Sequence, residues 1–183
     1  MRNKLILSFV LLLASGVASA QFYITKTGVI RFVSEAKVEK IEAVNNQVNA
    51  ILNPATAEFG FKLLIKSFEF EKALMQEHFN ENYLESDKFP LSTFVGKVTN
   101  IKEINLSKDG TYTANVEGDL TIHGVTNKVK QAGTFTVKTD KIIANANFDV
   151  PLKDYKIVIP SAVFNKVASS VKVTINVTLE KTK

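Results

Sequence analysis

The sequence predicts an all-β protein: an antiparallel β-barrel of about eight strands with one amphipathic helix. Three observations carry this. Apolar residues alternate with polar ones along most of the chain from residue 59 onward. Turn residues punctuate the alternating runs at short intervals. A single segment, from Phe70 to Leu84, switches to helical spacing.

The runs can be taken in order. Phe59, Phe61, Leu63 and Ile65 hold the odd positions of one strand region, and Phe94 lies on a later one. Tyr112, Ala114, Val116, Leu120 and Ile122 are even-numbered. Val129, Phe135 and Val137 are odd, and Ala144, Ala146, Phe148 and Val150 are even. Val171, Val173, Ile175, Val177 and Leu179 form the last apolar face. Period two places each set on one side of a pleated strand. Asn53-Pro54, Lys108-Asp109-Gly110 and Thr139-Asp140-Lys141 supply turns between runs. Links this short favour antiparallel pairing, and closing the sheet removes its exposed edges.

In the helical segment, Phe70, Leu74, Met75, Phe79 and Tyr83 form one stripe. Glu71, Lys72, Gln76, Glu77, Asn80 and Glu81 fall largely on the other side. Such a helix is expected to cover an end or side of the sheet. It stops at Ser86-Asp87-Lys88-Phe89-Pro90, because the residue before a proline disfavours helix.

Residues 1–20 read as a secretory signal peptide. Arg2 and Lys4 precede an apolar run from Leu5 to Ala14, and Ala18-Ser19-Ala20 gives the small-residue cleavage pattern before Gln21. The run is shorter than the about 20 residues of a membrane span. The expected location is the periplasm or the exterior, with residues 21–183 as the mature domain and no integral membrane span. There are no cysteines, so neither disulfides nor a lipid-modified first cysteine enter the picture. The formal charge of +5 falls to +3 (5 − 2) when Arg2 and Lys4 are removed. The lysines are scattered, and no basic run or aromatic platform points to nucleic acid.

The chain has 2 histidines. His123 lies in "GDLTIHGVTN", residues 118–127, where the apolar phase changes from even to odd. A strand changes phase only through a bulge or a turn, and Gly124 suits that change. His123 is therefore read as a polar residue on the outer face of a hairpin corner. On that reading, replacement by Asn costs at most ~0.5 kcal/mol. A catalytic role needs partners: there is no cysteine nucleophile and no Gly-x-Ser-x-Gly elbow. Asp119 is placed to orient a histidine base, but no oxyanion site is evident. A metal site needs three or four ligands at suitable spacing, and His78, His123, Glu77 and Glu81 do not supply it. No catalytic residue, metal ligand or cofactor is assigned.

"GDLTIHGVTNKV" and "LMQEHFNENYLESDKFPLSTFVGKV" resemble segments of the YceI-like family of secreted bacterial proteins. "FDVPLKDYKIVIP" resembles a version of a later family element, with Lys153-Asp154-Tyr155-Lys156-Ile157 where many members have Arg-x-Asp-Phe-Gly. The resemblance spans residues 21–183 and keeps the family order. It implies a lipocalin-like barrel, and in some members a polyisoprenoid or related long amphiphile in the interior.

The residues alone leave two interiors open. Ala114, Gly118, Ala144 and Ala146 on core-facing phases either make room for a ligand or accommodate neighbouring phenylalanines. The resemblance favours the ligand. Phe59, Phe61, Leu63, Phe94, Val116, Leu120, Ile122 and Phe148 are then the candidate lining, with a polar head near Lys153 or Lys156. The expected function is a secreted or periplasmic carrier of an apolar isoprenoid-like or acyl lipid. A ligand-free structural or stress-related domain, and a lipid-modifying enzyme, are the alternatives.

Overall fold

The computed structural model describes residues 21–182; the signal-peptide reading of residues 1–20 lies outside them. The strands are β1 (Tyr23–Glu35), β2 (Lys40–Leu52), β3 (Glu58–Leu64), β4 (Phe68–Phe70), β5 (Leu91–Val98), β6 (Gly110–Ile122), β7 (Val125–Lys138), β8 (Lys141–Pro151) and β9 (Ser170–Lys181). The sheet runs β1-β9-β8-β7-β6-β5-β3-β2, and β1 also pairs with β2, so eight strands close an antiparallel ring. The three-residue β4 hangs from β2, with Phe70 opposite Ala43.

From β3 onward, inward phases match the alternation. Phe59 and Leu63 are buried, as are Ala114, Phe135, Val137, Ala144, Val150, Val177 and Leu179. β1 and β2 do not alternate cleanly, because their register shifts between Thr25 and Gly28 and again between Gly28 and Ile30. Tyr23 is buried on an odd phase, whereas Ile30 and Ser34 are buried on an even one. The buried Asn45 uses both the nitrogen and the oxygen of its amide. Its Nδ2 donates to Leu64 O at 2.9 Å, and its Oδ1 accepts from Gln47 N–H at 2.9 Å. The first bond ties the irregular part of β2 to the end of β3, and the second lies within β2.

The helical segment is shorter than its stripe predicts. Helix α1 covers Ala73–His78 only. Phe70 belongs to β4, and residues Phe79–Tyr83 form a wider π turn in which Leu84 N–H donates to Phe79 O at 2.9 Å. The reason is aromatic packing. Phe79 sits 5.5 Å from Phe32, 5.6 Å from Phe68 and 5.0 Å from Phe70, measured between ring centres. Pairing Phe70 with β2 and widening the next turn gathers these rings at one end of the barrel.

β5 and β6 approach closely where Gly96 faces Gly118. A Cβ on Gly118 would stand 2.5 Å from Gly96 Cα and 2.5 Å from Val95 O. Gly118 thus serves strand contact, and it does not widen the interior as its phase suggests.

Candidate functional site

Two buried clusters close the barrel from opposite ends. Tyr23, Leu52, Val98, Ile104, Ile142 and Leu179 belong to one. Ile30, Leu63, Phe68, Leu84, Leu152 and Ile157 belong to the other. Between them lies a cavity of about 580 Å³. Ala114, Gly133, Ala144 and Ala146 line it on the neighbouring strands β6, β7 and β8, where their short side chains leave space. The volume lies within the 300–1,000 Å³ range typical of small-molecule pockets.

All of Phe59, Phe61, Leu63, Phe94, Val116, Leu120, Ile122 and Phe148 line this cavity. The phenylalanines form a partial wall: Phe59 and Phe61 are 4.8 Å apart edge to face, and Phe61 and Phe94 are 6.4 Å apart. Phe32, Phe68 and Phe135 also line it and were not among the candidates. Phe135 shares the inward odd phase of β7, so its signal was present. Phe32 was hidden by the shift in β1, which breaks the alternation that would have marked it.

Polar groups at the helix end of the cavity include Glu39, Lys72, His78 and Lys166, and the Lys72 ammonium lies 3.5 Å from the Glu39 carboxylate. Leu74, on the same rim, is 60% exposed. Lys153 and Lys156, expected near a polar head, are not part of the cavity lining. They belong to the tight turn Leu152–Tyr155 and its end, where Lys156 has φ of 56°. That turn directs the buried Leu152 and Tyr155 inward and both lysines to solvent.

His123 is at a hairpin corner, but not on an outer face. His123 and Gly124 have φ of 51° and 71°, the left-handed pair that a tight two-residue hairpin between β6 and β7 needs. The imidazole is only 10% exposed. Its Nδ1 lies 3.1 Å from Tyr155 O and its Nε2 lies 2.8 Å from Glu85 Oε2. Tyr155 O and the ionised Glu85 carboxylate are both acceptors, one facing each ring nitrogen. Phe89 packs edge-on at 4.8 Å. A Cβ on Gly124 would reach within 2.4 Å of the same Phe89 ring, which explains why glycine follows. The hydrogen bond from His123 lowers the Glu85 pKa, helped by the nearby Lys88 charge, while burial raises that of Tyr155.

His123 therefore pins the β6–β7 corner to two distant turns. It does not line the cavity, and its hydrogen bonds are satisfied by structural partners. Among the described residues, no three His, Cys, Asp or Glu side chains gather as a metal site. No helix among them is long and apolar enough to cross a membrane.

Comparison with known proteins places this architecture. The family model described as "YceI-like domain" matches residues 18–179. The chain belongs to the YceI-like family. A UPF0312 protein of Pseudomonas fluorescens is 41% identical over 56 residues, a stretch that spans 31% of this chain and 27% of that protein. A polyisoprenoid binding domain from Saccharophagus degradans, implicated in plant cell wall breakdown, superposes with a TM-score of 0.77 at 14% identity, covering 88% of this chain and 98% of that one. Burkholderia cenocepacia BcnA superposes with a TM-score of 0.67 at 15% identity over 83% of this chain and 95% of its own. The Campylobacter jejuni YceI protein does so at 0.60 and 17% identity, over 76% and 84%. At such identities these likenesses establish a shared YceI-like barrel.

Proposed function

We propose that this YceI-like protein binds a lipid and carries its apolar isoprenoid-like or acyl chain inside the barrel. The observation that carries the reading is the cavity of about 580 Å³, whose walls are predominantly aliphatic and aromatic. The polyisoprenoid binding domain of Saccharophagus degradans supports it through a related barrel.

The energetics are consistent. Each methylene removed from water contributes about 0.8 kcal/mol. Ordering and association offset several kcal/mol of that gain, so a chain needs many buried methylenes to bind well. The reading includes export, with a mature chain beginning at Gln21, supported by the pattern of residues 1–20. It includes no catalytic step.

Organic extraction of the natively purified protein, followed by mass spectrometry, tests the lipid reading. A reproducible lipid near one equivalent is expected. Empty extracts, together with no binding of prenyl or acyl chains to the stripped protein, overturn it in favour of a ligand-free domain. An N-terminal mass that retains Met1 on protein recovered from outside the cytoplasm contradicts the export reading.

A further inference from the structure

The barrel wall contains a partly unpaired seam. β6 and β7 pair along their full length, from Gly110–Val137 to Ile122–Val125. β8 and β9 pair from Lys141–Glu180 to Pro151–Ser170. Between these two sheets, β7 and β8 pair only from Lys138–Lys141 to Gly133–Ala146. Continued in that register, Gln131 would oppose Phe148, and Val129 would oppose Val150. Those rungs are absent. The far end of the gap is bridged again, because Asn127 Nδ2 donates to Asp154 O at 2.7 Å and the His123 ring bonds Tyr155 O at 3.1 Å. A window is left between the two strands, closed below by the last rung and above by the Leu152–Tyr155 turn.

A second hollow of about 280 Å³ occupies this window. Leu120, Val129, Gln131, Phe148 and Val150 line both it and the main cavity, so the window adjoins the barrel interior. Gln131 is the polar member of that shared wall. Among the described residues, the side-chain hydrogen bonds on the β7 side of the window are those of Asn127, Lys128 and Lys130, and none uses the Gln131 amide. Lys128 is tied to Asp119 at 2.8 Å and Lys130 to Glu117 at 2.9 Å. Asp149 and Asp154 line the opposite side. An anionic head meets carboxylates here, and the two lysines that line the window, Lys128 and Lys130, are already paired. A neutral group that donates or accepts a hydrogen bond suits the free amide.

We infer that the β7–β8 window is a second subsite of the lipid cavity. It takes a neutral carbonyl, amide or hydroxyl head on the Gln131 amide while the chain lies in the barrel. This inference rests on the lipid reading of the cavity.

Photocrosslinking tests it. The probe is a farnesyl ketone with a diazirine beside the carbonyl, bound to delipidated protein. Labelling of residues 128–131 or 148–149 is expected. Labelling confined to the rim at residues 72–78 and 163–167 overturns the window and leaves lipid carriage standing. Failure of farnesane, farnesol and the ketone all to bind defeats the lipid reading itself. Gln131→Leu provides the second measurement. It should weaken farnesol and the ketone by about threefold to tenfold, the loss of one hydrogen bond, and leave farnesane unchanged or tighter. An equal effect on alcohol and hydrocarbon, or a wild-type preference for farnesyl diphosphate over farnesol, overturns the assigned head chemistry.

Discussion

At His123 a left-handed backbone and a double hydrogen bond coincide. Asn tolerates the same backbone, so His123→Asn keeps the hairpin turn and isolates the role of the ring. The substitution leaves Tyr155 O and the Glu85 carboxylate without the imidazole and removes the face against Phe89. The expected cost is about 1–3 kcal/mol, read as a shift in the urea midpoint, where an outer-face residue would cost little. A loss below ~0.5 kcal/mol, the usual surface value, would show that the pin is not structural. Glu85 adds a pH dependence. Its pKa is lower in the fold than in the unfolded chain because of the His123 hydrogen bond and the Lys88 charge. Its contribution is therefore present above the ordinary carboxylate pKa and is lost as pH falls through the lowered folded value. Glu85→Gln should flatten that part of the acid limb in a series of urea titrations. An acid limb of unchanged slope would contradict the assignment.

Among the elements, the β5–β6 contact sets Gly118 apart from Gly60 of the neighbouring strand β3. A Cβ on Gly118 would collide with backbone atoms at 2.5 Å, and backbone cannot step aside as a flexible side chain can. A Cβ on Gly60 of β3 would find its nearest neighbour, Phe94 O, at 3.4 Å. Gly118→Ala is expected to cost about 1–3 kcal/mol through overpacking. Gly60→Ala should change stability much less. Equilibrium denaturation of both variants decides the matter, and equal losses would refute the close-approach argument. The aromatic end follows the same logic of contact over propensity. Phe32, Phe68, Phe70 and Phe79 come from β1, from β4 and from the turn after α1. Their meeting shortens the α-helix that the apolar stripe alone predicts.

For the whole molecule, the cavity trades packing for capacity. Space left between Ala114, Gly133, Ala144 and Ala146 forgoes contacts that a filled core would make, and a bound chain restores them. A ligand that binds only the folded state adds about 2.7 kcal/mol at 100 times Kd. A domain of this size gains about 2–4 °C of Tm per kcal/mol. Delipidated protein should therefore melt about 5–11 °C below the saturated form. Calorimetry across a series of prenyl and acyl chains reads this directly. Val116→Trp, which directs a large ring into the cavity, should reduce that ligand-dependent shift while the protein remains folded. A full shift in this variant would place the ligand elsewhere.

Alternation from Phe59 to Leu179 determined by itself which faces of β3 and β6–β9 turn inward, because period two is a property of each strand's own backbone. The phase change at His123 and Gly124 likewise marked the hairpin corner, since only a turn or bulge permits it. Those local rules carry no depth and no partner. They could not separate Ala114 beside open space from Gly118 against Gly96, which share one strand and one phase. They could not recover Phe32, whose phase is set by a shift in register with β2. The rim of Glu39, Lys72 and Lys166, the pin from His123 to Glu85 and Tyr155, and the parting of β7 from β8 arise only when distant segments meet. Tertiary structure decided these features because ring closure sets which strands remain paired and which turns cap them, and no local periodicity encodes that geometry.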